Sequence, residues 1–144
     1  MSPSEKQPYR HSVSVAGAVI DDEGRFLAIQ RRDNGKWEIP GGVLELGETP
    51  EEGVVREVLE ETGVKVHVER LTGLYKNMER GIIALVFRCS VISGEPEETA
   101  EARSVAWLTP DDIREQVDEA YAVRFLDALD DDTTIRAHDG FNLL

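Results

Sequence analysis

Residues 49–63, TPEEGVVREVLEETG, carry a start signal and a stop signal for one helix, with two distinct faces between them. Thr49 suits the N-cap, Pro50 the first helical position, and Glu52, three residues after Thr49, completes a capping box. Glu51 and Glu52 also stand where the helix dipole is positive. Gly63 can take the left-handed conformation that ends a helix. The helix is therefore expected over Pro50–Thr62. At about 100° per residue, Val54, Val55, Val58, Leu59 and Thr62 share one arc. Glu57, Glu60 and Glu61 share another, with Arg56 at its border. Such a helix lays its apolar arc on a sheet and leaves three carboxylates converging elsewhere.

That convergence has a cost, since like charges at this spacing destabilise an exposed helix by about 0.2–0.5 kcal/mol per pair. Two readings stand side by side. One is a solvated acidic face in a chain whose net charge is −13. The other is a divalent-cation site, because clustered hard oxygen donors suit Mg²⁺ or Mn²⁺ better than Zn²⁺. Gly53 favours the second reading. Glycine within a helix costs roughly 1 kcal/mol relative to alanine, so a close approach to the backbone is expected one turn before Glu57. Without a cation the carboxylates repel and raise one another's proton affinity.

The remainder reads as one domain of mixed strands and helices. Strands are expected from Ser12 (SVSVAGAVI), from Arg25 (RFLAIQRR) and over VKVHVER, where apolar and polar residues alternate. The nearly continuous apolar run from Ile82 (IIALVFRCSVI) reads as a central strand covered on both faces, and ARSVAWL as the last strand. Thr109 and Pro110 open a further helix, and another covers about 118–129. Residues 1–11 are expected to be disordered, residues 12–130 to form the domain, and residues 131–144 show no clear element. The GFNLL end is apolar and can dock on the domain or on a second subunit, so a homodimer is one reading. The acidic balance argues against nucleic-acid or anionic-membrane binding. No apolar run reaches spanning length and no leader pattern opens the chain, so a cytoplasmic protein is expected. The lone cysteine, Cys89, lies in an apolar run and reads as a buried thiol. His11, His67 and His138 show no ligand spacing and read as surface residues.

From Gly42 the chain runs glycine, five residues, Glu48, seven residues, then REVLEETGV, Arg56 to Val64. This resembles the Nudix box, G-x5-E-x7-R-E-U-x-E-E-x-G-U with U aliphatic, at every specified position. A chance match at a given start has a probability of roughly 10⁻⁸. The WEIPGG lead-in, the strand of Trp107 and the TPDDI helix extend the resemblance over about 12–130. It implies an α/β fold, a three-layer α/β/α sandwich around a mixed sheet. It further implies metal-dependent hydrolysis of a pyrophosphate bond in a nucleoside diphosphate-linked small molecule, with Mg²⁺ or Mn²⁺ as cofactor.

Carried over by position, Glu57, Glu60 and Glu61 are the metal ligands, with the Gly41 carbonyl a further one. Glu48 and Arg56 are orienting partners in a salt bridge. The general base varies within the family; Glu60 and Glu101 are the two options, with Glu97 and Glu98 beside the latter. Arg31 or Arg32 can reach phosphates. Strand alternation puts one on each side of the sheet, so one of them at most is expected in the pocket, with Arg32 chosen. Trp37 can stack on a base or pack in the core. The segment resembles the MutT type, which suggests a nucleoside triphosphate, including oxidised forms. Nucleotide sugars, ADP-ribose and dinucleoside polyphosphates stay open, because the box builds shared chemistry and not the base pocket. The alternative is a non-catalytic nucleotide-binding or regulatory module, against which the full set of carboxylates stands.

Overall fold

The computed structural model describes residues 9–144. Its first strand, β1 (Ser12–Val19), already divides the interior in two: Val15 and Val19 enter one core, Ala16 and Ala18 the other. The elements that follow are β2 (Phe26–Arg31), β3 (Trp37–Glu38), β4 (Gly41–Val43), α1 (Pro50–Thr62), β5 (Lys65–Asn77), β6 (Ile82–Ser93) and β7 (Ala102–Leu108). Helices α2 (Pro110–Gln116) and α3 (Glu119–Leu126), a 3₁₀ turn (Asp127–Leu129) and β8 (Thr134–His138) complete the chain.

The β layer is two sheets. One is five-stranded and mixed, in the order β4-β1-β6-β5-β8; the other is three-stranded, β3-β2-β7, and antiparallel. In the first, β1 pairs with β6 and β5 with β8 in parallel, while β4 with β1 and β5 with β6 are antiparallel. On one face α1 packs Val54 and Val58 against Val15, Val19, Leu27, Phe87 and Cys89. On the other, Ile113, Val117, Ala122 and Phe125 of α2, α3 and the turn between them pack on Ala16, Phe26, Ala28, Tyr75 and Val86. The expected α/β/α layering is thus present, with Val54 and Val58 of α1, both fully buried, each contributing about 1.5–3 kcal/mol. Gly17 lets α1 lie close to β1: a Cβ there would meet Val58 Cγ2 at 2.9 Å and Val54 Cγ1 at 3.2 Å.

Helix α1 has the expected ends. Thr49 Oγ1 accepts from the Glu52 N–H and Glu52 Oε1 from the Thr49 N–H, while Gly63 sits at φ 78°. The expected close approach at Gly53 is by side chains: an added Cβ would stand 2.9 Å from Leu44 Cδ1 and 3.0 Å from Glu48 Oε1 and Val15 Cγ2.

Four expectations need correction. The strand expected over VKVHVER runs on to Asn77, because register irregularities at Val68/Arg70 and Leu71/Gly73 break the alternation without ending the strand. ARSVAWL is not the last strand; β8 lies in the tail, pairs in parallel with β5 from Gly73 to Asn77, and continues the fold past residue 130. His138, expected at the surface, is fully buried beneath that tail, whereas His11 and His67 are exposed. The β6 run is covered on both faces only in part, since Val91 and Ile92 at its end are exposed. The disorder expected over 1–11 falls mostly on residues outside those described; Arg10 and His11 are exposed and in no element.

Candidate functional site

Gly41, Gly42, Glu57, Glu61, Ala100 and Glu101 surround a cavity of about 480 Å³, completed by Ile29, Glu38 and the turn after β2. Three chain segments meet here. Strand β4 brings the glycines, α1 brings two glutamates, and the loop before β7 brings Glu101.

Glycine at 42 leaves the space that the Glu57 carboxylate fills. A Cβ built there would lie 2.6 Å from Cδ, Oε1 and Oε2 of Glu57, so the carboxylate stands directly against the strand backbone. Glu57 is nearly buried, and its Oε1 accepts from Arg56 Nη1 at 2.7 Å. The same guanidinium grips Glu48 in a fork, with Nε to Oε2 at 2.9 Å and Nη2 to Oε1 at 2.6 Å. Held by Arg56 first and by the Glu45 N–H next, Glu48 is brought down to about 2. Arg56 also reaches Glu60 Oε2 at 3.3 Å. One arginine thus fixes an anchor, Glu48, and orients two carboxylates of the next turn.

Glu57, Glu60 and Glu101 each offer an oxygen within 4.8 Å of the others. Glu57 is buried; Glu60 and Glu101 are exposed. Glu61, expected with Glu57 and Glu60, is not one of these three: it is buried, lines the same cavity, and its Oε1 accepts from the Gly41 N–H at 2.9 Å. Burial above all, and then neighbouring Glu57, push Glu61 up to about 9, against the Gly41 hydrogen bond. Gly41 lines the same cavity.

Glu101 comes from a loop, and hydrogen bonds rather than packing hold that loop. Thr99 Oγ1 donates to Glu61 O at 3.1 Å and accepts from the Ala102 N–H at 3.3 Å. The Glu97 N–H donates to Thr62 O at 3.0 Å. Arg32 donates to Thr99 O at 2.9 Å and Ala100 O at 3.2 Å, so it clamps the loop while standing in the cavity wall. Arg31 stands in that wall too, against the expectation that one of the two arginines at most would. The register shifts between Gln30 and Arg31, and Arg32 lies beyond the strand, so alternation no longer separates the pair. Glu97 and Glu98 do not line the cavity. Trp37 packs on the α2/α3 core and lines a neighbouring cavity.

Sequence reasoning missed Glu38 and Asp33, which pair with Arg31 at 3.4 Å and 2.7 Å in the cavity wall. Burial raises the Glu38 carboxyl above its ordinary range. Charge alternation at Arg31, Asp33 and Glu38 was the only signal available, and it is a common surface pattern.

A NUDIX domain model matches residues 10–129 of the chain. A MutT-like protein of Streptomyces ambofaciens is 58% identical over 138 residues, covering 95% of this chain and 90% of that protein. An ADP-ribose pyrophosphatase of Methanocaldococcus jannaschii is 37% identical, over 69% of this chain and 63% of that one. A putative 8-oxo-dGTP diphosphatase of Bacillus subtilis is 30% identical over 64% of this chain and 62% of that one. Among solved structures, a MutT protein of Methanosarcina mazei superposes with TM-score 0.70 at 28% identity, over 82% of this chain and 92% of that one. An ADP-ribose pyrophosphatase of Streptococcus suis shares the fold at TM-score 0.75 and 20% identity, over 90% of this chain and 100% of that one.

Proposed function

The chain is a pyrophosphohydrolase of the NUDIX family, and from that premise we propose that it cleaves a nucleoside triphosphate or nucleoside diphosphate-linked small molecule with the aid of Mg²⁺ or Mn²⁺. One observation carries the reading: carboxylates from a helix and from a separate loop converge, with Glu57, Glu60 and Glu101 oxygens within 4.8 Å. Such a gathering of anions stabilises nothing by itself. The substrates named for two relatives, ADP-ribose and 8-oxo-dGTP, each carry a phosphoanhydride on a purine nucleoside, which supports the substrate class.

The donor set fits a hard divalent cation: all oxygen, more than one carboxylate, and Arg56 as the neighbouring positive charge. Glu57, Glu60 and Glu101 would hold it, with Glu61 and the Gly41 carbonyl as further ligands beside them. When bound, such an ion neutralises phosphate oxygens, acidifies water and stabilises the leaving phosphate. The protein's own residues do the rest. Arg56, anchored on Glu48, keeps Glu57 from turning away from the cavity. Glu60 and Glu101, both exposed, present carboxylate oxygens that can take a proton from attacking water. Arg31 and Arg32 put two cations in the wall where phosphate oxygens would lie.

The test is incubation with a panel of nucleoside di- and triphosphate derivatives, with Mg²⁺ and then with EDTA, reading phosphate and nucleotide products. Cleavage of at least one member that EDTA abolishes is expected. Glu60→Gln is expected to lower turnover at least about a hundredfold with the fold retained. Binding without cleavage across the panel, or a near-normal Glu60→Gln rate, would overturn the reading.

A further inference from the structure

Electrostatics work against the loop that carries Glu101. Residues 94–101, GEPEETAE, hold four glutamates and no basic residue, and α1 beside them carries Glu57, Glu60 and Glu61. Packing does little to hold the loop, since all of its residues except the half-buried Pro96 and Thr99 are exposed. Its first half is seated on the end of α1. A Cβ at Gly94 would stand 2.5 Å from Gly63 O, and one at Gly63 would stand 2.7 Å from Glu97 Cγ. The Glu97 N–H and the Thr99 hydroxyl add their bonds to Thr62 O and Glu61 O.

The second half depends on Arg32. At the end of the β2/β7 ladder the register slips, with Gln30 opposite Ser104 but Arg31 opposite Ala102. Arg32 stands one residue past that last pair, and its side chain takes over where the backbone ladder stops. Nη2 donates to Thr99 O at 2.9 Å and Nε to Ala100 O at 3.2 Å, the two carbonyls that immediately precede Glu101. No other basic side chain among the described residues bonds to the loop. Nε and Nη2 form one edge with which a guanidinium grips a carboxylate or phosphate in a fork. Here the loop occupies that edge.

We propose that Arg32 is a positioning residue: by holding those two carbonyls it fixes Glu101 against Glu57 and Glu60, and this role outweighs any contact of Nη1 with substrate phosphate. The inference rests on the reading of the acidic cavity as the hydrolytic site. Two charge-assisted bonds, together with the positive charge itself, offset a repulsion among carboxylates that no residue of the loop neutralises.

Arg32 is exposed, so Arg32→Ala leaves the core intact. Hydrogen exchange followed by NMR, in EDTA and without nucleotide, reads the loop apart from hydrolysis. The Ala102 amide, bonded to Thr99 Oγ1, is expected to exchange at least about tenfold faster in Arg32→Ala, the scale of one charge-assisted bond, while the amides of α1 stay as they were. With Mg²⁺ and a cleaved member of the panel, Arg32→Ala should lower kcat about tenfold and change KM less than about threefold. In a Glu101→Gln protein the same substitution should cost less than about twofold in kcat, because the group that Arg32 places is already gone. Unchanged exchange at Ala102 overturns the inference. So does a raised KM with kcat kept, which would make Arg32 a phosphate contact, or losses from Arg32→Ala and Glu101→Gln that multiply. A loosened loop in a protein that cleaves nothing in the panel upholds the clamp and overturns the proposed hydrolysis; cleavage by a protein whose loop stays firm in Arg32→Ala overturns this inference alone.

Discussion

Gly42→Ala is the smallest change that tests how the acidic site is built. The backbone at Gly42 is not in the left-handed region, so alanine is conformationally allowed. The new methyl would nevertheless lie 2.6 Å from all three carboxyl atoms of Glu57. Restoring ordinary contact requires the carboxylate to retreat by roughly 1 Å. The end of a side chain can yield where backbone cannot, so the strand stays and Glu57 moves. Thermal stability should change by less than about 1 kcal/mol, since loss of glycine entropy in the unfolded chain offsets part of the strain. A displacement of about 1 Å at a reacting centre costs on the order of a hundredfold in rate. The assay is turnover against Mg²⁺ concentration, with calorimetric melting alongside. The expected result is a higher Mg²⁺ requirement and a rate lower by about two orders of magnitude, with the melting temperature moved by no more than about 5 °C. A variant with the original Mg²⁺ dependence and rate would show that Glu57 does not work from this position.

Three further outcomes follow from the same geometry. Arg56→Lys loses the fork to Glu48 and the contact with Glu57, and should lower kcat/KM about 10–100-fold; a change under twofold would show that the fork positions nothing. Thr99→Val, nearly isosteric, removes the side-chain bond that moors the loop of Glu101 to α1 and the bond from the Ala102 N–H within the loop. It should reduce kcat/KM about tenfold and stability by no more than about 1.5 kcal/mol, and full activity would assign Glu101 no role. In EDTA, Glu61 should make stability fall as pH rises. Its ordinary value is 4.5 and the folded value is about 9, so the folded protein keeps a proton that the unfolded chain has released. That contribution is whole below 4.5 and lost as pH climbs through 9. Urea melts of the protein and of Glu61→Gln at about pH 6 and about pH 9 measure it; equal pH dependence in the two would refute the assignment.

Helix α1 was fully legible in the sequence because its signals are local: a capping box, a proline at the first position, a left-handed stop and two clean arcs. Strands β1, β2 and β6 were legible because their apolar residues are dense. The second half of β5 was not, since irregularities at Val68/Arg70 and Leu71/Gly73 erase the period-two pattern on which a strand is recognised. Nor was β8, whose residues TIRAH gain their place from parallel pairing with distant Gly73–Asn77. The site divides the same way. The box residues share one helix and its lead-in. Glu101 reaches them through hydrogen bonds that join its loop to Glu61, Thr62 and Arg32; no spacing rule encodes these, so it was named by the family resemblance alone. The burial of His138 likewise depends on a tail that folds back over it.

The missing side chain at Gly17 has a wider bearing. With Val54 and Val58 seated on bare strand backbone, the acidic turn inherits its coordinates from the deepest part of the molecule and not from the loops at its rim. Rim segments other than the loop of Glu101 can therefore be exchanged or lengthened without moving the helix carboxylates. A single methyl added at their foundation would tilt the whole assembly at once.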